Sequence, residues 1–432
     1  MKNRKALALI AILALVAAAC GGSDGGSDEA VVEVETTEAP ATTEAPTTTA
    51  APAPASDPLI LASLMPLSGD LASLGPGIAL GAALAVEQIN AAGGINGQPV
   101  QLIEGDSGCD GAVALTSLND VIAQGAQGVM GAACSSTSLA ILDTAIAAEV
   151  VMISPSNTSP QFTKIDKKGF YARTAPSDLL QGDVLASLLV EDGVQTVSII
   201  SRADSYGRGL AEATAAAFEA AGGTVKTIVY HATDATEFSS EVTAVGKGAA
   251  EAIVGILFPE TGCGVLQPAF EQGLLDTPWY MTDGVKDAGL ASLCGLGTAL
   301  DGFKGTAPGS AAGEAKDAFE AAYAEVSADG SPTFIFAPQA YDAVMLMAIS
   351  AAANGVTGPE IASGLVAASS GGEKCIGVAC IALAADGVDV DYVGASGEIE
   401  LDAVGDPTAA TYDIWTTEGD TNPVLRSVDF GS

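Results

Sequence analysis

Basic side chains are scarce in this sequence, which has 16 lysines and arginines against 53 aspartates and glutamates in 432 residues. The formal net charge is −37 at pH 7. Nucleic-acid binding requires cationic patches that neutralise phosphates, so this balance excludes nucleic acid as a partner. A strongly acidic surface is typical of a soluble protein whose copies repel one another, and we expect a monomer.

Histidine is nearly absent, because His231 is the only one in the chain. A serine hydrolase normally takes its general base from a histidine, and the sequence contains no GxSxG nucleophile elbow. The segment GPGIALG (75–81) has the wrong spacing for a dinucleotide-binding loop. The sequence therefore favours a protein that is not an enzyme, with no catalytic residue and no cofactor; a serine hydrolase is kept as an alternative.

Aromatic residues and long apolar runs are also few. Aromatic side chains make up 5% of the chain, which disfavours a sugar-binding site built from stacked rings. After residue 20, no apolar run reaches about 18 residues without a glycine or a charge, so the sequence predicts no transmembrane helix.

The first 20 residues have the pattern of an export signal. Three of the first five residues are basic, an apolar run covers 6–19, and small residues lead to Cys20. This resembles the lipobox of bacterial lipoproteins, which implies a signal peptide over 1–19 and a lipidated Cys20. Ala17 stands where those proteins favour leucine, so a secretory peptide cleaved elsewhere is the alternative.

The segment from 20 to 57 has a composition that argues against a fold. It is rich in glycine, serine, threonine, proline and glutamate. Such a segment has too few large apolar side chains to offset the entropy of ordering it. We expect a disordered tether that joins the lipidated cysteine to the folded protein.

Six further cysteines follow the export signal. An even number in an exported chain indicates three disulfides, and six cysteines permit fifteen pairings. Chain order suggests Cys109–Cys134, Cys263–Cys294 and Cys375–Cys380. None of them has the CxxC spacing of a zinc site, so we expect no metal.

From Pro58 onward, short β-branched runs alternate with alanine-rich amphipathic stretches. The alternation predicts βαβ units with parallel sheets and right-handed crossovers. Two series of strands are predicted, over 59–65, 99–105, 128–132 and 150–154, and then over 195–201, 224–230, 252–258 and 278–282. We therefore expect an α/β fold of two doubly wound parallel-sheet lobes, with a helical stretch over 311–368 packed on one of them.

The domain limits follow from this organisation. We expect the first lobe to comprise 58–177 plus 308–409, and the second lobe to comprise 178–307 plus 410–432. Ligands of open parallel sheets bind beyond the carboxyl ends of the strands, so two facing lobes would place a site in the cleft between them.

Short hydroxyl side chains follow two neighbouring predicted strands. GVMGAACSSTS (128–138) and VVMISPSNTSP (150–160) both end in serines and threonines. A helix N-terminus offers unpaired N–H groups and partial positive charge, which suit a carboxylate. The alternative is that these residues only cap helices and form turns.

The sequence resembles a known family, the periplasmic leucine/isoleucine/valine-binding proteins, which are type I substrate-binding proteins of ABC transporters. The resemblance covers the chain from about residue 59 to 430 and implies the type I periplasmic binding protein fold, with a hinge and an interlobe cleft. It rests on MPLSGDLASLG (65–75), INAAGGINGQPVQL (89–102), DSGCDGAVA (106–114), GAACSSTS (131–138), MISPSNTSPQFT (152–163), RTAPSDLLQG (173–182) and DSYGRGLA (204–211).

The resemblance also implies which residues hold an amino acid in the first lobe. Ser135 matches the serine whose hydroxyl and backbone bind the α-carboxylate. Thr158 matches a threonine that contacts both the carboxylate and the ammonium. Ser156 and Asn157 match positions that line the pocket, with the Ser156 carbonyl facing the ammonium.

In the second lobe, Tyr206 matches a tyrosine that closes over the ligand. Asp283 matches the acidic residue that pairs with the ammonium, which is often a glutamate in the family. Asp178, at the first crossing between lobes, is expected to border the site. Leu74 and Phe258 stand where leucine-binding members have tyrosines, which makes the side-chain pocket less polar or gives it a different shape.

The Cys109–Cys134 pair also matches a disulfide of the family. The implied function is a lipid-anchored receptor on the outer face of the cell membrane, or in the periplasm. It would deliver an amino acid, branched-chain or otherwise apolar, to an ABC permease. A sensor of the same fold, or a receptor for small amides or aromatic carboxylates, is the alternative.

Overall fold

The apolar runs of the sequence form the strands of three sheets in the computed structural model, which describes residues 57–430. The predicted signal peptide (1–19), the predicted lipidation site Cys20 and the predicted tether, through residue 56, lie outside the described residues. In chain order the strands are β1 (Ile60–Met65), β2 (Gln101–Asp106), β3 (Gly128–Gly131), β4 (Val151–Ser154), β5 (Tyr171–Arg173), β6 (Thr196–Arg202), β7 (Thr224–His231), β8 (Ala252–Ile256), β9 (Trp279–Met281), β10 (Lys304–Pro308), β11 (Glu373–Ile376), β12 (Val390–Gly394), β13 (Gly397–Glu398), β14 (Ala410–Thr416) and β15 (Val424–Phe430).

Helices cover the sheets and connect the strands. They are α1 (Gly75–Ala91), α2 (Gly111–Ala123), α3 (Ser135–Ala147), α4 (Gln161–Lys164), α5 (Asp178–Glu191), α6 (Ser205–Ala220), α7 (Ser239–Gly246), α8 (Pro259–Glu271), α9 (Leu290–Leu293), α10 (Glu314–Val326), α11 (Ala337–Asn354), α12 (Gly358–Ser369) and α13 (Ala379–Ala385). Short 3-10 turns lie at Leu274–Asp276, Asp283–Val285 and Gly297–Leu300.

The first sheet is wholly parallel and has the order β2-β1-β3-β4-β5. Strands β3 and β4 are buried along their entire length. A parallel strand that is covered on both faces has a continuous apolar sequence, which is why these runs do not alternate.

The second sheet has the order β15-β14-β10-β9-β8-β6-β7. Its five earlier strands pair in parallel, but β14 lies antiparallel to both β10 and β15. The expectation of purely parallel sheets is therefore wrong at this edge. A short connection after β14 brings the chain straight back, which is possible only for an antiparallel pair.

A small third sheet, β11-β12-β13, and a break in the helical stretch also differ from the prediction. The stretch over 311–368 forms three helices, with a loop over 327–336 between α10 and α11. The break coincides with turn-forming residues, because Asp329 accepts hydrogen bonds from the backbone and hydroxyl of Ser331, and a proline follows. The next helix, α12, begins with a capping box of Thr357 and Glu360.

The chain crosses between the two larger sheets three times. It leaves the first sheet after β5, returns after β10, and crosses again after β13 to add β14 and β15 to the second sheet. Between the last two crossings, α11 packs against α1, β3 and β4 of the first sheet. This α/β architecture of two lobes agrees with the predicted fold class.

Three disulfides close loops within the described residues: Cys109–Cys134, Cys263–Cys294 and Cys375–Cys380. They are the pairs that chain order suggests. Within residues 57–430, no helix combines the length and the apolar character that crossing a bilayer requires.

Candidate ligand-binding site

A small cavity lies between the two lobes, beyond the carboxyl ends of β3 and β4. Its empty volume, counted together with the open solvent at its mouth, is about 330 Å³. The lining residues are Leu71, Leu74, Ile78, Ala133, Ser135, Ser156, Tyr206, Phe258, Asp283, Gly284 and Phe336. Six of the nine residues proposed from the sequence therefore line one cavity, and Asn157, Thr158 and Asp178 are not among the lining residues.

The first-lobe wall contains the start of α3. Ser135 is the first residue of this 13-residue helix and is 2% exposed. The N-cap residue, Cys134, makes no side-chain capping bond to the helix. The backbone N–H groups of the first turn therefore have no capping side chain, as an anion-binding helix N-terminus requires, and Ser135 of this turn lines the cavity. The disulfide to Cys109 ties this helix start to the loop after β2.

The loop after β4 is fixed by hydroxyl and amide bonds to the segment before α3. The Ser156 hydroxyl donates to the Ala133 carbonyl at 3.1 Å. The Asn157 amide donates to the carbonyls of Ala132 and Ala133, and its oxygen accepts from the Tyr171 hydroxyl at 2.9 Å. The structure thus places the Asn157 side chain in the support of the loop and not in the cavity wall.

Thr158 is the next residue of that loop, and its hydroxyl is buried. Among the described residues, the hydroxyl has no hydrogen-bond partner. The Thr158 carbonyl accepts a hydrogen bond from the backbone N–H of Asp178 at 2.8 Å. An unpaired buried hydroxyl is costly, so this group is available to the neighbouring Asp178 carboxyl or to a bound polar group.

Asp283 supplies the acidic group of the second-lobe wall, immediately after β9. Its Oδ1 accepts both the Gln181 amide at 2.8 Å and the Tyr206 hydroxyl at 2.9 Å. Both bonds use one oxygen, which leaves Oδ2 for a bound ligand. Burial raises the pKa of Asp283 to about 6, and the two hydrogen bonds oppose that rise without cancelling it.

Asp178 forms an acidic pair with Asp283. Neither Asp178 oxygen has a hydrogen-bond partner in the described part of the chain. Burial raises the pKa of Asp178 well above its usual value, and the neighbouring charge of Asp283 raises it further. Burial and mutual repulsion therefore favour the protonated form in this pair, more strongly at Asp178 than at Asp283.

Apolar side chains complete the cavity. Leu74 and Phe258 line it as the sequence suggested, and the Tyr206 and Phe258 rings stack with centroids 5.4 Å apart. Phe336, the residue before α11, was missed because the sequence placed it inside a long helix. Its backbone has a φ of 60°, which breaks the helix and turns the ring toward the cleft.

Cross-lobe contacts close the cavity; we call Asp70, Arg202, Glu260 and Thr261 the clasp. Arg202 forms an ion pair with Asp70 from the opposite lobe, and the Thr261 backbone donates to the same carboxylate at 3.3 Å. The Glu260 carboxylate accepts the backbone N–H groups of Leu71 at 2.7 Å and of Ser73. The loop that carries Leu71 and Leu74 is thus held by the other lobe.

Replacement of Glu260 should weaken ligand binding through the clasp. Glu260→Gln removes the charge that strengthens two backbone bonds, and its exposed position limits the loss to about 1 kcal/mol, or roughly fivefold in Kd. Calorimetry would measure the change. Glu271→Gln, an exposed glutamate at the other end of α8, is the matched control and should leave Kd unaltered; equal effects of the two variants would contradict a role for the clasp.

His231 lies apart from this cavity. The residue ends β7, is fully buried, and packs its ring edge-on against Phe238 at 4.8 Å. Its Nδ1 is within 3.1 Å of the Ala232 carbonyl. His231 is therefore not placed to act as a base on Ser135. In the part of the chain that the structure describes, no cluster of acidic, cysteine or histidine side chains is arranged to hold a metal ion.

Comparison with known proteins relates the chain to one family. The model of the family described as periplasmic binding protein matches residues 58–374. An amino acid binding protein of Pseudomonas aeruginosa is 34% identical over 238 residues, which cover 53% of this chain and 62% of that protein. A leucine-, isoleucine-, valine-, threonine- and alanine-binding protein of the same species is 30% identical over 304 residues, which cover 68% of this chain and 78% of that protein.

Solved structures show the same fold. A branched-chain amino acid transporter substrate-binding protein of Streptococcus pneumoniae, in complex with isoleucine, has a TM-score of 0.72 and 22% identity over 87% of this chain and 100% of its own. A solute-binding protein of R. palustris, in complex with benzoate, has a TM-score of 0.70 and 18% identity over 87% of this chain and 98% of its own.

Proposed function

The chain belongs to the periplasmic binding protein family, in its leucine/isoleucine/valine-binding group, and from this membership we propose that it is the substrate-binding protein of an ABC importer. Its ligand is an amino acid with an apolar side chain, branched-chain or similar. One observation carries the proposal. The cavity has a free helix N-terminus on one lobe and an ionised carboxylate on the other, with apolar walls between them.

The binding mode follows from the chemistry of the two walls. The ligand carboxylate docks on the α3 N-terminus and the hydroxyls of Ser135 and Thr158, with Ser156 beside it. The ligand ammonium pairs with Asp283, which Tyr206 and Gln181 hold in place. No lysine or arginine lines the described cavity, so a zwitterion is neutralised by dipoles at one end and by a carboxylate at the other.

The two lobes close on the ligand by bending at the three crossings. We assign 58–177 plus 308–409 to one lobe and 178–307 plus 410–432 to the other. With the lobes closed, Ser135 is 2% exposed and Asp283 is 3% exposed. Water is therefore excluded from the carboxylate end of the ligand, at Ser135, and from the ammonium end, at Asp283.

The site of action is outside the cytoplasm. The export signal and Cys20 support a protein that is anchored by lipid to the outer face of the membrane and passes its ligand to an ABC permease, and the net charge of −37 supports a monomer. A sensor that reports occupancy to a membrane partner would use the same cleft. Loss of growth on the ligand as sole nitrogen source, after deletion of the protein, distinguishes uptake from sensing.

An aromatic carboxylate is the second candidate ligand, because the stacked rings of Tyr206 and Phe258 form part of the wall. Such a ligand has no ammonium group, so it would leave the charge of Asp283 buried without a partner. The acidic pair therefore favours the amino acid.

A thermal-shift screen tests the proposal with the standard amino acids, small amides and benzoate. A ligand at 100 times its Kd should stabilise the protein by about 2.7 kcal/mol. We expect the largest shifts from isoleucine, leucine or valine, followed by calorimetry for Kd. A shift with benzoate alone, or with no amino acid, would contradict the proposal.

Affinity should depend on pH through Asp283. Its pKa in the free protein is about 6, and pairing with an ammonium requires the ionised form. Kd should therefore be constant above about pH 7 and should rise by up to about tenfold per pH unit below pH 6. Calorimetry from pH 5 to 8 would measure Kd as a function of pH. In the control variant Asp283→Asn, Kd should no longer depend on pH over this range. Tighter binding at pH 5 than at pH 8 would contradict it.

A further inference from the structure

A buried arginine lies directly behind the loop that carries Thr158. Arg173, the last residue of β5, is fully buried. Its Nε and Nη2 donate to the two oxygens of Asp406 at 3.0 and 2.8 Å, and Nη2 also donates to the Thr163 hydroxyl. Its Nη1 donates to the carbonyls of Asn157 and Ser159, both at 3.0 Å. All five N–H donors of the guanidinium are thus used.

These bonds enclose Thr158. The carbonyls of Asn157 and Ser159 are held by Arg173, and the Thr158 carbonyl between them is held by the backbone N–H of Asp178. Three successive carbonyls of the loop are therefore fixed by the segment 173–178. The backbone cannot rotate there without breaking a buried bond, so the Cα–Cβ bond of Thr158 keeps its direction.

Arg173 is also tied to the third crossing between the lobes. Asp406 lies on the segment between β13 and β14, and the backbone N–H of Arg173 donates to the Gly405 carbonyl at 3.0 Å. Only a planar guanidinium can span the two Asp406 oxygens and two backbone carbonyls at once, which a lysine ammonium cannot do.

We propose that Arg173 is a positioning residue for ligand binding, which orients Thr158 toward the ligand carboxylate through the backbone of residues 157–159 without touching the ligand. This inference rests on the proposed function. If the role of Arg173 were only structural, its replacement would lower the stability of the protein and leave the affinity for the ligand unchanged. The test therefore measures affinity and stability separately.

A double-mutant cycle with isoleucine as the probe makes that separation. Arg173→Lys retains the positive charge opposite Asp406 but loses the planar guanidinium that bonds to Asp406 and to the two loop carbonyls at once. We expect Kd to rise at least about tenfold. In a Thr158→Val background, the same change should alter Kd by less than about threefold while lowering Tm as much as before. Equal effects on Kd in both backgrounds would overturn the proposal.

A matched variant controls for general destabilisation. Asp342 is a buried first-lobe carboxylate that accepts bonds from Tyr392, Ala395 and Ser396 and does not line the cavity. Asp342→Asn should lower Tm and leave Kd unchanged. A rise in Kd as large as that of Arg173→Lys would show that destabilisation alone weakens binding, and would overturn the proposal.

Hydrogen exchange of the ligand-free protein gives a second readout, which does not depend on the proposed function. Arg173→Lys should speed amide exchange at least about tenfold at 156–159 and leave β4 protected. Unchanged exchange there overturns the positioning role even where the parent binds isoleucine. Absence of binding of any apolar amino acid by the parent contradicts the proposed function alone. Should Arg173→Lys fail to fold, Asp406→Asn should also raise Kd and speed amide exchange in the loop that carries Thr158, with smaller changes in both.

Discussion

Asp283→Asn should weaken amino-acid binding by about 2–5 kcal/mol, or roughly 30-fold to a few thousand-fold in Kd. The variant keeps the shape of the side chain, and its Oδ1 can still accept the bonds from Gln181 and Tyr206. What it removes is the negative charge at Oδ2. A ligand ammonium would then be buried without a counter-charge, which is the most costly loss that the closed cleft allows.

The same substitution should stabilise the ligand-free protein. Burial raises the pKa of Asp283 from 3.8 to about 6, so the folded state binds this proton more tightly than the unfolded state does. The carboxylate therefore lowers stability as the pH rises from 3.8 to 6, and above pH 7 the full cost, about 3 kcal/mol at most, is present. We expect a higher Tm for Asp283→Asn at pH 8 and little difference at pH 4.

Opposite signs for binding and stability identify Asp283 as a residue kept for function. Calorimetry and thermal unfolding at pH 8 measure the two effects, and Asp342→Asn is the matched control. Asp342 is as buried, and burial likewise raises its pKa to about 6, but both of its oxygens accept bonds from N–H or O–H donors. That variant should lose stability and keep its affinity. Unchanged isoleucine affinity in Asp283→Asn would contradict the ammonium site.

Ser135→Ala combined with Thr158→Ala should abolish measurable binding without unfolding the protein. A hydrogen bond to a charged group contributes about 1.5–3 kcal/mol, so loss of two such bonds amounts to about 3–6 kcal/mol, or at least a hundredfold in Kd. The cost to the fold is small, because the Thr158 hydroxyl has no partner among the described residues and Ser135 accepts one long bond of 3.4 Å from the Ser159 backbone.

Ser136→Ala is the control for this pair. Ser136 is the neighbouring hydroxyl in the same turn of α3 and does not line the cavity. Its removal should leave Kd within about twofold. Calorimetry with isoleucine measures both the double variant and the control, and Tm reports their folding. Undiminished affinity of the folded double variant would remove the proposed carboxylate site.

Much of the site was predictable because chain order and sheet topology determine where strands end. Ser135 and Ser156 follow neighbouring parallel strands, so the rule that ligands bind at carboxyl ends is enough to bring them together. Asp283 and Tyr206 came from the resemblance, and the structure places both at the same cavity.

Other contributions depend on contacts between distant segments, which no local pattern reveals. Gln181 bonds to Asp283 across 102 positions and Arg173 to Asp406 across 233. The resemblance placed Asn157 among the residues that line the pocket. In the structure its side-chain amide instead donates to the Ala132 carbonyl. Phe336 was missed because the loop before α11 reads as part of a continuous alanine-rich stretch.

A crystal structure of the protein over residues 57–430, with bound isoleucine, tests the central claim most directly. The account predicts the ligand carboxylate within hydrogen-bonding distance of the Ser135 backbone and the hydroxyls of Ser135 and Thr158, with the ammonium beside Asp283 Oδ2. A ligand bound outside the interlobe cavity, or with its ammonium at the α3 N-terminus and its carboxylate at Asp283, would contradict it.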